Sequence, residues 1–435
     1  MVLVPRNHRR RIQEYGMTAF RNVASLILSA ALLQVAGGLL GVIVPISLGA
    51  AGVSDATVGL IAGIYSAGFM VGAAMAPRMI RRIANIRVFA FAAALGAVMA
   101  LLMAMYRDPY TWSIARFAQG IGIALMFASV ESWMTEATPA SQRGSVLGVY
   151  HVAAKVALIL GPFLAIGHAA EALEPFIWCG IFLAFALMPV CITKSLQPAP
   201  PDPDPFPIRR MFDVAPSAVI GVFIAGFSNT GFLSLLPLYA QQAGGASVAS
   251  AAATLMAAAY IGGVASQWPA GLISDHIDRR IVIGGMGLLS AVAALLLAVL
   301  DGNPGSLLTQ FLIGIWGAGA LSFYGLCIAH AADRCEPSKI ARMLSGLLFV
   351  WAAGAVLGPI VFGVVMSSPL ATQGLFILEA IIGLLLFFLM VWRRQAKAPV
   401  VEENRESFEV VQPTSVLGAE IDPRSPDATE EMPAS

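Results

Sequence analysis

The sequence predicts an all-α membrane protein, with twelve transmembrane helices arranged as two pseudo-symmetric six-helix bundles. Three observations lead there. Only 12% of the 435 residues are charged while 58% are hydrophobic, roughly half the charge of a soluble domain, and the mean hydropathy is +0.79. Apolar stretches of about twenty residues, enough to cross about 30 Å of hydrocarbon, occur twelve times along the chain. The second six of them repeat features of the first.

In chain order the spans read as 25–48, 56–77, 88–106, 111–134, 144–166, 176–194, 216–240, 250–273, 281–300, 305–330, 341–366 and 374–392. Span 1 runs past twenty residues without a clear small-residue cleavage site, so it reads as a true span and not a removed leader. Basic residues mark one side of the series. Arg6, Arg9, Arg10, Arg11 and Arg21 precede span 1, and Arg78, Arg81, Arg82 and Arg87 fall between spans 2 and 3. Arg143, Lys194, Arg209, Arg210, Arg279, Arg280, Arg334, Lys339 and Arg342 sit in or beside the other even-to-odd connections; Arg393, Arg394, Lys397, Arg405 and Arg424 follow span 12. Of 26 Lys and Arg residues, 23 lie on that side, Arg107 lies opposite, and Arg116 and Lys155 fall inside spans. Such residues accumulate on the cytoplasmic side of a membrane, so both termini are expected there.

Composition breaks set the domain limits: an N-terminal tail (1–24), a first bundle (25–195), a linker (196–215), a second bundle (216–392) and a C-terminal tail (393–435). The linker lies in LQPAPPDPDPFPIRRMFDVAP, proline-rich, polar and too irregular for a helix. The C-terminal tail is acidic and proline-rich, a composition that predicts disorder.

Equal helix numbers in the two halves invite a search for duplication. RFAQGIG (116–122) in span 4 aligns with QFLIGIW (310–316) in span 10 at an offset of 194, and the loops before spans 3 and 9 match at the same offset. LILGPFLAIG (158–167) in span 5 aligns with AVLGPIVFG (355–363) in span 11 when Gly161-Pro162 is laid on Gly358-Pro359.

Twelve spans, a six-plus-six repeat, a long middle linker and these motifs together resemble the Major Facilitator Superfamily over about residues 20 to 395. GLISDHIDRR, with Gly271, Asp275, Arg279 and Arg280, is similar to the superfamily's loop signature. The equivalent PRMIRRIANIR of the first half departs from it, with Pro77 for the glycine and Arg81 at the acidic position. In the family this signature is associated with latching the outward-facing state, which implies a latch resting on the second half. Arg116, Gln119, Gly120, Gly122 and Ala124 resemble the span 4 motif of proton-coupled exporters, whose arginine is associated with proton transfer. AKVALILGPFLAIG in span 5 is similar to the antiporter motif, with alanines where its strongest versions carry glycine. VESWM and SQWPAGLISD also resemble a poorly characterised bacterial branch near the drug:proton antiporters. The resemblance implies an inner-membrane transporter in which spans 1, 2, 4, 5, 7, 8, 10 and 11 line a central cavity and spans 3, 6, 9 and 12 face lipid.

Ionisable residues inside spans are functional candidates by default. Here Arg116 and Glu131 of span 4 and His151 and Lys155 of span 5 are such residues, and every intramembrane charge is expected on a cavity-lining span. Two readings stand for Arg116: a ligand or proton contact, or snorkelling toward an interface marked by Trp112. Glu131 lies about 22 Å along the helix from Arg116, too far for a direct pair. His151 or Lys155 reaches Glu131 if spans 4 and 5 pack closely, as a salt bridge or as a proton relay. Gln34, Tyr65, Asn229, Tyr260, Gln267, Gln310 and Tyr324 are polar candidates, each also readable as an interhelical hydrogen bond. Gln310 replaces the arginine of the repeat, so the halves offer different chemistry to one cavity.

Span 1 carries no carboxylate, while Arg116 and Lys155 make the upper and middle cavity electropositive. An anionic, zwitterionic or neutral polar substrate is therefore expected in preference to a cation. The function read from the sequence is secondary active transport of a small molecule by alternating access, coupled to protons. An uncoupled facilitator and a transporter-like receptor or scaffold are the alternatives. The four scattered cysteines form no CxxC and are read as packing residues. No P-loop and no nucleophile-base spacing is present, so no enzyme, cofactor or metal is expected. A net charge of +1 gives no case for nucleic acid. The expected partners are the small-molecule substrate, protons and the lipid bilayer, around a monomer.

Overall fold

Hydrocarbon offers backbone amides no water, so apolar stretches of this length close their hydrogen bonds internally as helices. A computed structural model describes residues 6–138, 143–192, 207–244, 247–300, 302–396, 405 and 407–416. Among these, the helices are α1 (Arg6–Ala50), α2 (Asp55–Ile83), α3 (Asn85–Met105), α4 (Pro109–Ala137), α5 (Arg143–Leu160), α6 (Glu174–Ile192), α7 (Ile208–Val214), α8 (Pro216–Gln242), α9 (Val248–His276), α10 (Arg279–Val299), α11 (Leu307–Ala320), α12 (Phe323–Ala332), α13 (Ile340–Met366) and α14 (Ala371–Ala396). They supply twelve crossings, with α8, α9 and α10 as spans 7 to 9, α11 and α12 together as span 10, and α13 and α14 as spans 11 and 12. The even count puts the ends of α1 and α14 on one face, here called the linker face. Lys194, Lys397 and Arg424 lie outside the described residues, as do the side chains of Arg6, Arg9, Arg10, Arg11, Arg21 and Arg143.

Two sequence expectations are corrected. The linker is not wholly irregular: Ile208–Val214 forms α7 after the helix-compatible Pro207 N-cap, with Met211 buried, so one apolar side chain anchors it. The tail is not wholly disordered: Arg405 and residues 407–416 are placed against the bundles, with Ser415 and Val416 buried. Composition alone misses this because apolar residues such as Phe408 find cover only once the bundles exist.

Helices approach where side chains are absent. A Cβ on Gly161 would collide with the Val35 carbonyl of α1, and one on Gly358 with the Phe227 carbonyl of α8. The aligned Gly-Pro pairs thus perform the same packing in each half. Pro162 also ends α5, and Gly161–Ala165 continues as a 3-10 turn. Span 10 breaks between α11 and α12, where the Ser322 hydroxyl bonds back to the Ala318 carbonyl and pairs with the Ser266 hydroxyl of α9 at 2.8 Å; serine back-bonding of this kind bends helices.

The bundles meet closely on the face opposite the linker. Glycines 59 and 363 bring α2 against α13, the Ala56 amide donates to Ser367 Oγ at 2.8 Å, and Gln242 Nε2 donates to Asp55 Oδ1 at 2.8 Å. Gln241 Nε2 reaches the Ile46 carbonyl at 3.2 Å. That face is closed.

Gly161→Val and Gly358→Val should each lower the thermal midpoint in detergent, because overpacking costs about 1–3 kcal/mol. Gly285→Ala, where a Cβ meets nothing within 4 Å, should leave it unchanged.

Candidate functional site

Closure on one face leaves a central cavity of about 360 Å³ between the bundles. Gln34, Tyr65, Arg116 and Lys155 line it from the first bundle, and Asn229, Tyr260, Gln267 and Tyr324 from the second. Helical periodicity explains the first set: Arg116 and Gln119 are three positions apart on one face of α4. The Arg116 guanidinium lies 4.0 Å from the centroid of the Tyr65 ring, and its Nη1 donates to Gln119 Oε1 at 3.1 Å. Its Nε has no hydrogen-bond partner. Trp112 does not mark a lipid interface. It is 2% exposed, and its Nε1 donates to the Tyr106 carbonyl at 2.6 Å, clasping the turn between α3 and α4. Arg116 therefore points inward and does not snorkel.

Lys155 projects from α5 across the gap, its Nζ 5.5 Å from the Tyr260 ring centroid of α9. Gln267 Nε2 donates to the Leu321 carbonyl at the break in span 10, at 3.2 Å. Asn229 Oδ1 is buried without a hydrogen-bond partner. No carboxylate lines this cavity among the described residues, so its two cations face aromatic rings, amides, hydroxyls and apolar side chains. Gln310 is not part of it. That side chain sits at the start of α11 on the closed face and donates to the Gly305 carbonyl at 3.4 Å. The alignment with Arg116 does not preserve depth: α11 starts at Leu307 and α4 at Pro109, so Gln310 stands about one turn nearer its helix start than Arg116 does.

Toward the linker face a second cavity of about 210 Å³ holds Glu131 and His151, with Tyr324 shared between the two. Glu131 is 1% exposed. Its Oε1 accepts from the Tyr150 hydroxyl at 3.1 Å, and its Oε2 accepts from the Ser415 hydroxyl of the tail. Neither His151 nor Lys155 pairs with it; Tyr150 on α5 takes that place, a neighbour the search for charges passed over. His151 packs against the Tyr150 ring and its Nδ1 has no hydrogen-bond partner.

The loop signature of the second half is an ion-pair network. Arg279, 1% exposed, donates to Asp333 Oδ2 at 2.6 Å, to Asp275 Oδ1 at 3.0 Å and to Ser274 Oγ at 2.8 Å, tying α9, α10 and α12 together. Arg280 pairs with Asp278 at 2.8 Å and donates to the Arg393 carbonyl at 2.8 Å. Burial alone would raise the Asp278 carboxyl, but the hydrogen bonds and charge of Arg280 outweigh it and hold the group below the ordinary aspartate range. At the aligned place in the first half, Asn85 instead donates to Ser132 Oγ at 3.4 Å.

The sequence model described as Major Facilitator Superfamily matches residues 26–319 and 218–425. The chain belongs to the Major Facilitator Superfamily. It is a multi-pass membrane transporter and not an enzyme. The uncharacterized MFS-type transporter YcaD of Salmonella enteritidis PT4 is 26% identical over 390 residues, covering 88% of this chain and 98% of the relative. A bacterial homolog of the human lysosomal transporter Spinster, solved inward-facing and unoccupied, superposes with a TM-score of 0.72 at 16% identity, covering 90% of this chain and 99% of that one. A D-xylose-proton symporter superposes at 0.66 and 15% identity, covering 85% and 97%.

One superfamily expectation fails in this chain. Not every intramembrane charge sits on a cavity-lining span: Glu379 lies in α14, 1% exposed, and its Oε1 accepts from Ser228 Oγ of α8 at 2.6 Å. The sequence signal is the single carboxylate in FILEAIIGLLLFF, which the expectation that span 12 faces lipid does not accommodate.

Breaking a buried ion pair by removing one partner costs about 3–5 kcal/mol, so Arg279→Gln should lower the midpoint of thermal unfolding sharply. Lys339→Gln removes the exposed pair with Glu336 and should change stability by less than about 1 kcal/mol.

Proposed function

We propose that this transporter moves a small anionic, zwitterionic or neutral polar molecule across the bacterial inner membrane by alternating access, with Glu131 as the proton-coupling carboxylate. The observation that carries the substrate class is the cavity lining: Arg116 and Lys155 face it from one bundle, and no Asp or Glu lines it among the described residues. A cation entering there meets two like charges in a medium that screens poorly. An anion meets a planar guanidinium suited to two-point recognition and an ammonium across the gap, with Tyr65 and Tyr260 as walls.

Alternating access is supported by the separation of closure and cavity. The bundles interlock on the face opposite the linker, and the cavity continues on the other side toward Glu131. The linker face carries most of the basic residues, which supports its assignment to the cytoplasm and the described state as inward-facing. Coupling through Glu131 is supported by its surroundings. It is buried, it lies on the route between cavity and mouth, and its described partners are hydroxyls and not cations, so proton exchange there breaks no ion pair. The Gly161-Pro162 motif of α5 is consistent with antiport. An uncoupled facilitator would use the same cavity without Glu131.

Thermal-shift screening of purified protein against anionic, zwitterionic, neutral and cationic metabolites tests the substrate class, since a bound ligand stabilises the fold by mass action. Stabilisation by cations alone would refute it. For a stabilising anion, Arg116→Gln should weaken binding about tenfold or more, the worth of a hydrogen bond to a charged group, with Arg116→Lys retaining part of it. In proteoliposomes, Glu131→Gln should abolish the response of transport to a proton gradient while substrate exchange persists; an intact response assigns coupling elsewhere.

A further inference from the structure

Among the described residues, the C-terminal segment touches both bundles on the linker face without belonging to either. Arg405 Nη1 donates to the carbonyls of Asp275 at 3.1 Å and Ile277 at 2.9 Å, at the joint between α9 and α10. The Phe408 amide then donates to Asp275 Oδ2 at 3.2 Å. Its ring covers Gly271, where a Cβ would strike it, and packs over Gly325, where a Cβ would stand in ordinary contact with the ring at 3.4 Å. Residues 411–414 line the central cavity from below. Ser415 crosses to Glu131 on α4, and the Val416 carbonyl accepts from Ser345 Oγ on α13 at 2.8 Å.

We propose that Arg405 and residues 407–416 act as a cis-acting plug: the groove between the bundles is a docking site for this segment, which seals the mouth and must leave before the pathway opens. Three features specify the occupant. Glycines 271 and 325 leave room for one aromatic ring. Asp275 takes part in the loop signature through one oxygen and gives its other to the segment's backbone. Glu131 receives a hydroxyl, so the residue proposed to couple protons is covered by the plug. The inference takes from the proposed function that this face is where the pathway opens; its link to proton coupling rests on the proposed role of Glu131.

The test reads docking and not transport, so it fails independently of that function. With Cys179, Cys191, Cys327 and Cys335 replaced by serine, Gly325→Cys places a thiol where the nearest atoms belong to Phe408 and Val411. Purified protein in nanodiscs is treated with a membrane-impermeant maleimide. Labelling should be at least about tenfold faster in a chain ending at Lys397, as expected for a segment docked nine-tenths of the time or more. Full-length Arg405→Ala/Phe408→Asp should show the same acceleration without deletion. A synthetic peptide of residues 405–416, added in excess to the shortened chain, should restore protection. Equal labelling rates in the full, shortened and doubly substituted chains, each monodisperse with an unchanged thermal midpoint, would overturn the proposal.

Discussion

A charge in hydrocarbon must be paired, hydrogen-bonded or turned toward a polar gap, and the arrangement of this molecule follows from how that requirement is met. The strongest charges, Arg279 and Arg280, are nearly inaccessible but lie at the membrane edge, each with an aspartate within 3.0 Å. Arg116 and Lys155 lack carboxylate partners, and they are where the bundles stand apart. The cavity is therefore the place where two otherwise untenable cations are tolerated, and it forms between helices that touch elsewhere through glycine. Small residues bring α5 onto α1 and α13 onto α8; the larger side chains are left to define the space between the pairs.

Duplication explains why backbone packing is shared while chemistry is not. Close approach at Gly161 and Gly358 is demanded by the helix geometry of each half, since any side chain there meets a carbonyl. Nothing in that geometry fixes what occupies neighbouring positions. Where the second half holds Arg279 between two aspartates, the first holds Asn85 against Ser132. The first half meanwhile keeps both cavity cations. One half carries the buried ion-pair network and the other carries the two cations that line the cavity.

Twelve spans, the duplication and eight cavity-lining side chains were legible because they depend on local pattern: apolar length, motif spacing and helical periodicity. What was not legible depends on contacts between distant parts. Tyr150 partners Glu131 because α4 and α5 pack at one particular rotation, and counting charges does not find a phenol. Gln310 aligns with Arg116 in sequence, yet α11 starts at Leu307 and α4 at Pro109, so Gln310 stands about one turn nearer the closed face. Glu379 was lost to a rule about which spans face lipid. α14 does face lipid along residues such as Leu385 and Phe388, but its other side packs on α8, and that side holds the carboxylate. The tail was read by composition, which reports whether a segment folds alone and not whether a groove awaits it.

The distribution of strong and weak contacts bears on motion. The buried ion pairs of Arg279 and Arg280 lie within the second bundle, at the joints of α9, α10 and α12. Among the described residues, the hydrogen bonds named across the bundles are the Ala56 amide to Ser367, Gln242 to Asp55 and Gln241 to a carbonyl, joined by those of Arg405, Phe408, Ser415 and Val416. Separating a buried ion pair costs about 3–5 kcal/mol, whereas exchanging a typical hydrogen bond for water costs about 0.5–1.5 kcal/mol. Contacts that hold a bundle rigid are thus the expensive kind, and contacts that must break when bundles rock are the inexpensive kind. Glu131 fits the second group: hydroxyls from Tyr150 and Ser415 satisfy it without committing it to a cation. A carboxylate held that way can exchange partners, or accept a proton, at a cost a moving transporter can meet on every cycle.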